Sequence, residues 1–115
     1  MSGRLDPVVP FAAELSEAGG TAIVTVTGEL DLVTVPEVEA LVAPVAPSDR
    51  LVLDLRAVSF MDSVGVRLLM VLDIRARAEG WTLVVARSPG PVGRLLELCR
   101  MPDRVAVVGD PSEVP

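Results

Sequence analysis

Two short segments hold the residues whose types and spacing could do chemistry. Glu29 and Asp31 lie in the segment Gly-Glu-Leu-Asp at 28–31, and Asp62 directly precedes Ser63 about thirty residues later. Paired carboxylates can act as general acid and base, and a serine hydroxyl can accept a phosphate group. The simpler alternatives are a solvated acidic turn at 28–31 and a helix N-cap provided by either Asp62 or Ser63.

The residue types missing from the chain exclude much catalysis. The sequence has no His, Lys, Tyr, Asn or Gln, and all ten cationic residues are Arg. There is therefore no Ser-His-Asp or Cys-His nucleophile, no imidazole metal ligand, no Schiff-base lysine and no Walker-type lysine. Only carboxylates remain for hydrolysis, and an aromatic content of 3% offers little to line a substrate cleft. We expect a binding or regulatory module without cofactor or metal, and not an enzyme.

Cysteine usage and charge indicate where the protein acts. The single cysteine, Cys99, allows no internal disulfide, which fits a reducing compartment, and we expect it to be a small buried residue on a helix. A net charge of −6 argues against direct nucleic-acid binding. No run of about 18 apolar residues and no signal peptide is present, so we expect a cytoplasmic protein without membrane contact. Residues 1–49 hold eight acids against one Arg, which predicts an acidic surface on that half.

The elements that must position these residues alternate between strands and helices. We predict one domain over 1–115, with a core at about 11–108 and loose termini at 1–10 and 109–115. The strands are predicted at 11–16, 21–27, 51–55, 82–86 and 105–108, the first two forming a hairpin. Helices are predicted at 34–43, 63–79 and 88–99, the first opened by a capping box from Thr34 to Glu37. This order favours an α/β domain with mainly parallel strands.

The helix at 63–79 has the strongest pattern. An apolar stripe is predicted to face the core, and Gly80 is suited to a left-handed C-terminal position. The stripe consists of Val66, Leu69, Met70, Leu72, Ile74 and Ala76. Ser63 would then lie where a central strand enters a helix N-terminus, with free N–H groups and the helix dipole available to a phosphate.

The motifs taken together resemble the STAS domain of bacterial anti-sigma-factor antagonists. The resemblance is carried by Phe-Met-Asp-Ser-Val-Gly at 60–65, after Gly-Glu-Leu-Asp at 28–31 and Leu-Val-Leu-Asp-Leu at 51–55, with a Leu-Leu-Glu-Leu helix ending at 98. It covers about 11–108. It implies a single STAS-like α/β domain whose central mixed, mainly parallel sheet has four to five strands, with three to four helices.

The same resemblance implies a phosphorylation switch. In the family, the unphosphorylated antagonist binds an anti-sigma factor that is a serine kinase and releases the sigma factor. That kinase phosphorylates the serine matched by Ser63, and a PP2C-type phosphatase reverses the modification. Asp31, Asp62, Val64 and Gly65 match the positions around this switch, although Val64 replaces the small or hydroxyl residue common there. The alternative is a STAS scaffold or ligand-binding module, such as a stress-complex component or a nucleotide or lipid binder, that is not switched at Ser63.

Overall fold

A computed structural model describes residues 9–113, in which five strands alternate with three helices. Two single-turn 3₁₀ helices lie near the end of the described chain, at Met101–Asp103 and Pro111–Glu113. Of the predicted loose ends at 1–10 and 109–115, residues 1–8 and 114–115 lie outside the described residues. The elements are β1 (Ala12–Ala18), β2 (Thr21–Leu30), α1 (Val35–Val42), β3 (Arg50–Met61), α2 (Ser63–Glu79), β4 (Thr82–Ala86), α3 (Pro91–Leu98) and β5 (Ala106–Val108).

The strands lie side by side in the order of the chain. β1 pairs antiparallel with β2 through the turn at Gly19 and Gly20, as the predicted hairpin requires. β2, β3, β4 and β5 are parallel neighbours, each joined to the next through a helix, because parallel strands need a crossover connection. The predicted mixed, mainly parallel sheet is therefore confirmed, with five strands and three α-helices.

One face of the sheet carries the hydrophobic core. Side chains alternate along a strand, so Leu51, Leu53 and Leu55 of β3 point to the same face. They join one continuous cluster of buried apolar side chains to which β2, β4 and all three helices contribute. Val52 and Val84 are also buried but point to the other face and lie outside this cluster. The helices are thus held against the sheet by burial of Leu, Val, Ala and Met side chains.

The start of α1 differs from the predicted capping box. Thr34 has helical backbone angles, φ −95° and ψ −26°, and its side chain makes no cap hydrogen bond. Its hydroxyl instead donates to the carbonyl oxygen of Glu29 at 2.8 Å and accepts from the N–H of Asp31 at 2.9 Å. The capping-box prediction was wrong because the hydroxyl ties α1 back to the end of β2.

The helix α2 spans the predicted residues, and its ends follow from local signals. Asp62 is the N-cap, and Gly80 ends the helix in the left-handed conformation with φ 84°. Two residues of the predicted core stripe are nevertheless exposed: Met70 at 37% and Ile74 at 60%. Leu68 and Asp73 are buried instead. The helix is rotated on the sheet relative to the prediction.

The buried Asp73 is compensated by two arginines. Arg77, one turn further along α2, donates from Nε to both carboxylate oxygens, at 3.0 and 3.1 Å. Arg104 lies 3.6 Å from the same carboxylate and precedes β5. Burying a carboxylate requires such partners, because an unpaired charge is costly away from water. The ion pairs connect α2 to the last strand.

Three further predictions were wrong in their details. β3 continues to Met61, six residues beyond the predicted end, because it still pairs with β2 after its pairing with β4 has ended. Two register irregularities interrupt the pairing of β2 with β3. α3 is shorter than predicted, and Cys99 at its end is exposed rather than buried.

Within residues 9–113, no helix has both the length and the apolar character needed to cross a membrane.

Candidate functional site

The two predicted site segments meet at the ends of neighbouring strands. Leu30 ends β2 and Met61 ends β3, and these two residues are partners in the parallel pairing. Asp31 and Asp62 follow them directly. The N–H of Asp62 also donates to the carbonyl oxygen of Leu30 at 3.4 Å. Parallel pairing therefore brings together segments that are about thirty residues apart in the chain.

Asp62, not Ser63, caps α2. Its Oδ1 accepts hydrogen bonds from the N–H groups of Val64 at 2.9 Å and Gly65 at 3.4 Å, and its backbone is extended. A carboxylate there satisfies N–H groups that have no partner within the helix and interacts favourably with the helix dipole. Because Asp62 fills the capping role, Ser63 becomes the first residue of the helix.

Ser63 presents an exposed hydroxyl. Within residues 9–113 this hydroxyl has no hydrogen-bond partner, and the residue is exposed. Ser59, four residues earlier on β3, is also exposed, but its hydroxyl donates to the carbonyl oxygen of Gly28 at 3.3 Å. The two serines differ in that the Ser59 hydroxyl is hydrogen-bonded to the backbone, whereas the Ser63 hydroxyl is available for modification.

Asp31 shapes the loop between β2 and α1. Its Oδ1 accepts from the N–H groups of Val33 at 2.9 Å and Thr34 at 3.2 Å, which forms a tight polar turn. This turn directs two apolar side chains outward: Leu32 is 71% exposed and Val33 is 78% exposed. The carboxylate of Asp31 is thus used within its own loop, and the loop displays an apolar tip.

Gly65 allows α2 to approach the sheet closely. A Cβ atom at this position would lie 2.4 Å from Cγ of Met61 and 3.3 Å from the carbonyl oxygen of Leu30. Any larger residue would therefore have to displace the buried side chain of Met61 or the first turn of α2. Val64 beside it is half-buried and packs against the core cluster.

An exposed apolar surface next to Ser63 was missed by the sequence analysis. The exposed apolar side chains of two elements are here called the α2 surface: Leu32 and Val33 of the β2–α1 loop, and Met70, Val71 and Ile74 of α2. Between the loop, α1 and α2 lies a cavity of about 370 Å³, lined in part by Leu32, Arg67 and Val71. Helical spacing of Met70 and Ile74 was the available signal, but it also fits a core stripe.

The carboxylates of this region do not form a metal centre. Glu29, the next-to-last residue of β2, is a partner of Phe60, while Asp31 and Asp62 accept hydrogen bonds from their own loops. Among residues 9–113, no group of three or more acidic, cysteine or histidine side chains could hold a metal ion. The arrangement instead offers a serine hydroxyl, two nearby carboxylates and an adjoining apolar surface.

A mixed five-stranded sheet in sequential order, with three α-helices, defines a SpoIIAA-like α/β domain. The chain belongs to the STAS domain family: the family model described as "Mlab, STAS domain" matches residues 13–108. Comparison with curated proteins gives no match.

Solved structures share this fold. An anti-sigma factor antagonist from Mycobacterium paratuberculosis is 25% identical, with a TM-score of 0.76 over 90% of each chain. The anti-sigma factor antagonist SpoIIAA in its unphosphorylated form is 21% identical, with a TM-score of 0.70 over 89% of this chain and 92% of its own. Phosphorylated Bacillus SpoIIAA is 21% identical, with a TM-score of 0.63 over 86% and 93%.

Proposed function

We propose that this STAS domain is a cytoplasmic anti-sigma-factor antagonist controlled at Ser63. With Ser63 unmodified, it binds a cognate anti-sigma factor that is a serine kinase, and the sigma factor is released. Phosphorylation of Ser63 by that kinase ends the interaction, and a PP2C-type phosphatase restores it. The observation that carries this proposal is the exposed, unengaged Ser63 hydroxyl at the start of α2, beside the exposed α2 surface.

The chain in this proposal is a substrate of the kinase and not an enzyme. A kinase supplies its own nucleotide, metal ions and catalytic base, so the substrate needs only an accessible hydroxyl. Ser63 meets this requirement, and the apolar residues Leu32, Val33 and Val71 offer a surface for the partner to bury. Two relatives in fold are antagonists of anti-sigma factors, and one of them is known in both phosphorylation states.

Electrostatics explain how a phosphate would end binding. Phosphoserine carries about −1.5 to −2 charges at pH 7. Asp62, which is part of the same turn, has the same sign. A like-charge contact with the partner at about 4 Å and an effective dielectric near 20 costs about 4 kcal/mol. Since about 1.4 kcal/mol corresponds to a tenfold change in affinity, a single such contact weakens binding by orders of magnitude.

Phosphorylation by the cognate kinase tests the site. Incubation with the kinase and ATP should add one phosphate, assigned to Ser63 by peptide mass spectrometry, and Ser63→Ala should abolish it. Ser59→Ala is the matched control, since Ser59 is also exposed but its hydroxyl donates to the carbonyl oxygen of Gly28. Phosphate found on Ser59, or persisting in Ser63→Ala, would refute the assignment.

Partner binding tests the switch itself. Ser63→Asp should weaken binding to the anti-sigma factor by at least about tenfold in isothermal titration calorimetry, because it places a negative charge where the partner surface meets a neutral hydroxyl. Ser59→Asp should bind nearly as tightly as the unmodified chain. Equal affinities for Ser63→Asp and the unmodified chain would contradict the electrostatic mechanism.

The alternative is a STAS scaffold or ligand-binding module that is not switched at Ser63. The exposed α2 surface favours it as much as it favours an antagonist, since either would bury apolar side chains against a partner. A partner whose affinity depends on Leu32 and Val71, but is unchanged in Ser63→Asp, would establish this second function.

A further inference from the structure

A second cavity lies away from Ser63, at the junction of β4 and α3. It has a volume of about 400 Å³ and is lined by residues of the β4–α3 loop and α3 only. The lining residues are Arg87, Pro89, Gly90, Gly93, Arg94, Glu97 and Leu98. Its volume falls within the range of about 300–1,000 Å³ of small-molecule sites. It also lies just beyond the carboxyl end of β4, where open α/β sheets place their ligands.

The cavity combines an apolar wall with two arginines that have no acidic partner. Among the described residues, Arg50, Arg56, Arg75, Arg77, Arg100 and Arg104 each form an ion pair. Arg87 and Arg94 form none within residues 9–113, although Glu97 lines the same cavity. Leu98, at 82% exposure, supplies an apolar wall that no part of the described chain covers.

The position of Arg87 is set by close packing over a glycine. A Cβ atom at Gly93 would lie 3.4 Å from Cδ and 3.7 Å from Nε of Arg87, so the arginine side chain crosses this glycine. Arg87 is half-buried as a result, whereas Arg94 projects from α3 and is exposed. A guanidinium held in this way is prepared for paired hydrogen bonds to a carboxylate, because less side-chain freedom is lost on binding.

We propose that this cavity binds a small, singly charged amphiphile, such as a medium-chain carboxylic acid. The carboxylate would accept hydrogen bonds from Arg87 and Arg94, and its apolar chain would cover Pro89 and Leu98. Two guanidinium groups against the single carboxylate of Glu97 leave one net positive charge, which matches a monoanion. The site is separate from the proposed switch, since no lining residue belongs to α2 or to the β2–α1 loop.

Octanoate titrated into the full chain tests the proposal, with amide chemical shifts as the readout. Shift changes should be confined to 87–98 and saturate. Arg87→Gln and Arg94→Gln should each weaken octanoate binding by about tenfold, the loss expected for one charge-assisted hydrogen bond. Arg67→Gln is the matched control, because Arg67 is an exposed arginine of the other cavity without an ion pair among the described residues. It should leave binding unchanged.

Two comparison ligands and one more variant complete the test. Acetate lacks the apolar chain and 1-octanol lacks the charge, so both should bind at least tenfold more weakly than octanoate. Leu98→Ser, at an exposed position that leaves the core intact, should weaken octanoate binding but not acetate binding. Octanol binding as tightly as octanoate, or shifts centred on Leu32 and Val71 instead of 87–98, would overturn the proposal. Either result leaves the role of Ser63 untouched.

Discussion

Asp62 and Ser63, adjacent at the start of α2, have different roles. Asp62 binds the free N–H groups of Val64 and Gly65, and Ser63 is left with a hydroxyl that faces solvent. If Ser63 were the N-cap, its hydroxyl would be occupied by the helix, and modification would remove a stabilising contact. The arrangement observed lets a chemical change at Ser63 proceed without loss of the cap.

Two substitutions of Asp62 should therefore separate the contribution of its hydrogen bonds to stability from the contribution of its charge. Asp62→Ala removes the N-cap and should lower the free energy of unfolding by about 1 kcal/mol, measured by urea denaturation. Asp62→Asn keeps a good capping side chain and should stay close to the unmodified chain. Equal losses in the two variants would show that the charge, and not the hydrogen bonds, is what Asp62 contributes.

At the scale of elements, Arg75 connects α1, α2 and the start of β4. Its guanidinium donates to the carbonyl oxygens of Val42 and Val45, pairs with Glu79 at 2.9 Å and lies 5.4 Å from the ring centroid of Trp81. Val42 is the last residue of α1 and its carbonyl oxygen also accepts from the N–H of Val45 at 3.0 Å, so Arg75 adds hydrogen bonds to the turn that follows that helix. One side chain of α2 thus fixes the position of the neighbouring helix.

Arg75→Ala should be far more destabilising than loss of an exposed arginine pair. We expect a decrease of about 2 kcal/mol in the free energy of unfolding, since hydrogen bonds to charged groups contribute about 1.5–3 kcal/mol. Arg100→Ala is the control, because its ion pair with Asp103 is largely exposed and should contribute about 1 kcal/mol at most. Similar losses in both variants, measured by urea denaturation, would contradict this role of Arg75.

Glu79, the partner of Arg75 and Trp81, should titrate in the acid range. Hydrogen bonds from Arg75 and then from Trp81 lower the pKa of Glu79 below its ordinary value of 4.5. A lowered folded-state pKa gives stabilisation that is present above about 4.5 and is lost as the pH falls through the lower folded-state value. Because Trp81 donates to Glu79 at 3.0 Å and is the only tryptophan, its fluorescence should report this titration.

Glu79→Gln should abolish the fluorescence transition of the folded protein below pH 4.5. Asp110→Asn is the matched control: the pKa of Asp110 is also lowered, chiefly by hydrogen bonds from Ser112, but within residues 9–113 Asp110 makes no hydrogen bond with Trp81. It should leave the transition in place. A transition that survives in Glu79→Gln would mean that another group controls the fluorescence.

Sequence patterns predicted elements well where the signals are local. Asp62 and Gly80 mark the two ends of α2, and both act through contacts within a few residues. The rotation of α2 on the sheet was not predictable in this way: Met70 and Ile74 are exposed, while Asp73 is buried because Arg77 and Arg104 neutralise it. Arg104, an ion-pair partner of Asp73, lies about thirty residues away from it, so no local pattern in the sequence indicates the pair.

For the candidate site, too, the features set by local sequence were predictable, and those set by the folded loop were not. The adjacency of Asp62 and Ser63 was readable from the sequence, as was the position after a central strand. The exposed tip at Leu32 and Val33 was not, since it depends on the turn that Asp31 forms with Val33 and Thr34. Apolar residues usually indicate core, and only the fold shows that these two face solvent.

For the whole molecule, the distribution of charge separates the two proposed sites. Residues 1–49 carry eight acids and one Arg, whereas residues 50–115 carry nine Arg and eight acids. The loop containing Asp31 belongs to the acidic half, and the cavity with Arg87 and Arg94 belongs to the other. A partner of the Ser63 region should therefore present basic groups to the acidic residues of 1–49, around an apolar centre, and no basic group to Ser63 itself, and added salt should weaken its binding.

Phosphorylation of Ser63 should change partner affinity without changing the fold. The hydroxyl has no hydrogen bond to lose within residues 9–113, and the helix dipole favours an anion at this end by about 0.3–1 kcal/mol. Repulsion from Asp62 acts in the opposite sense, so the free energy of unfolding should change by about 1 kcal/mol or less. Urea denaturation of the phosphorylated chain measures this change, with unmodified chain alongside. Amide shift changes should be confined to residues near 63; changes spread across β4 and α3 would mean that the switch works through a conformational rearrangement and not through charge at the surface.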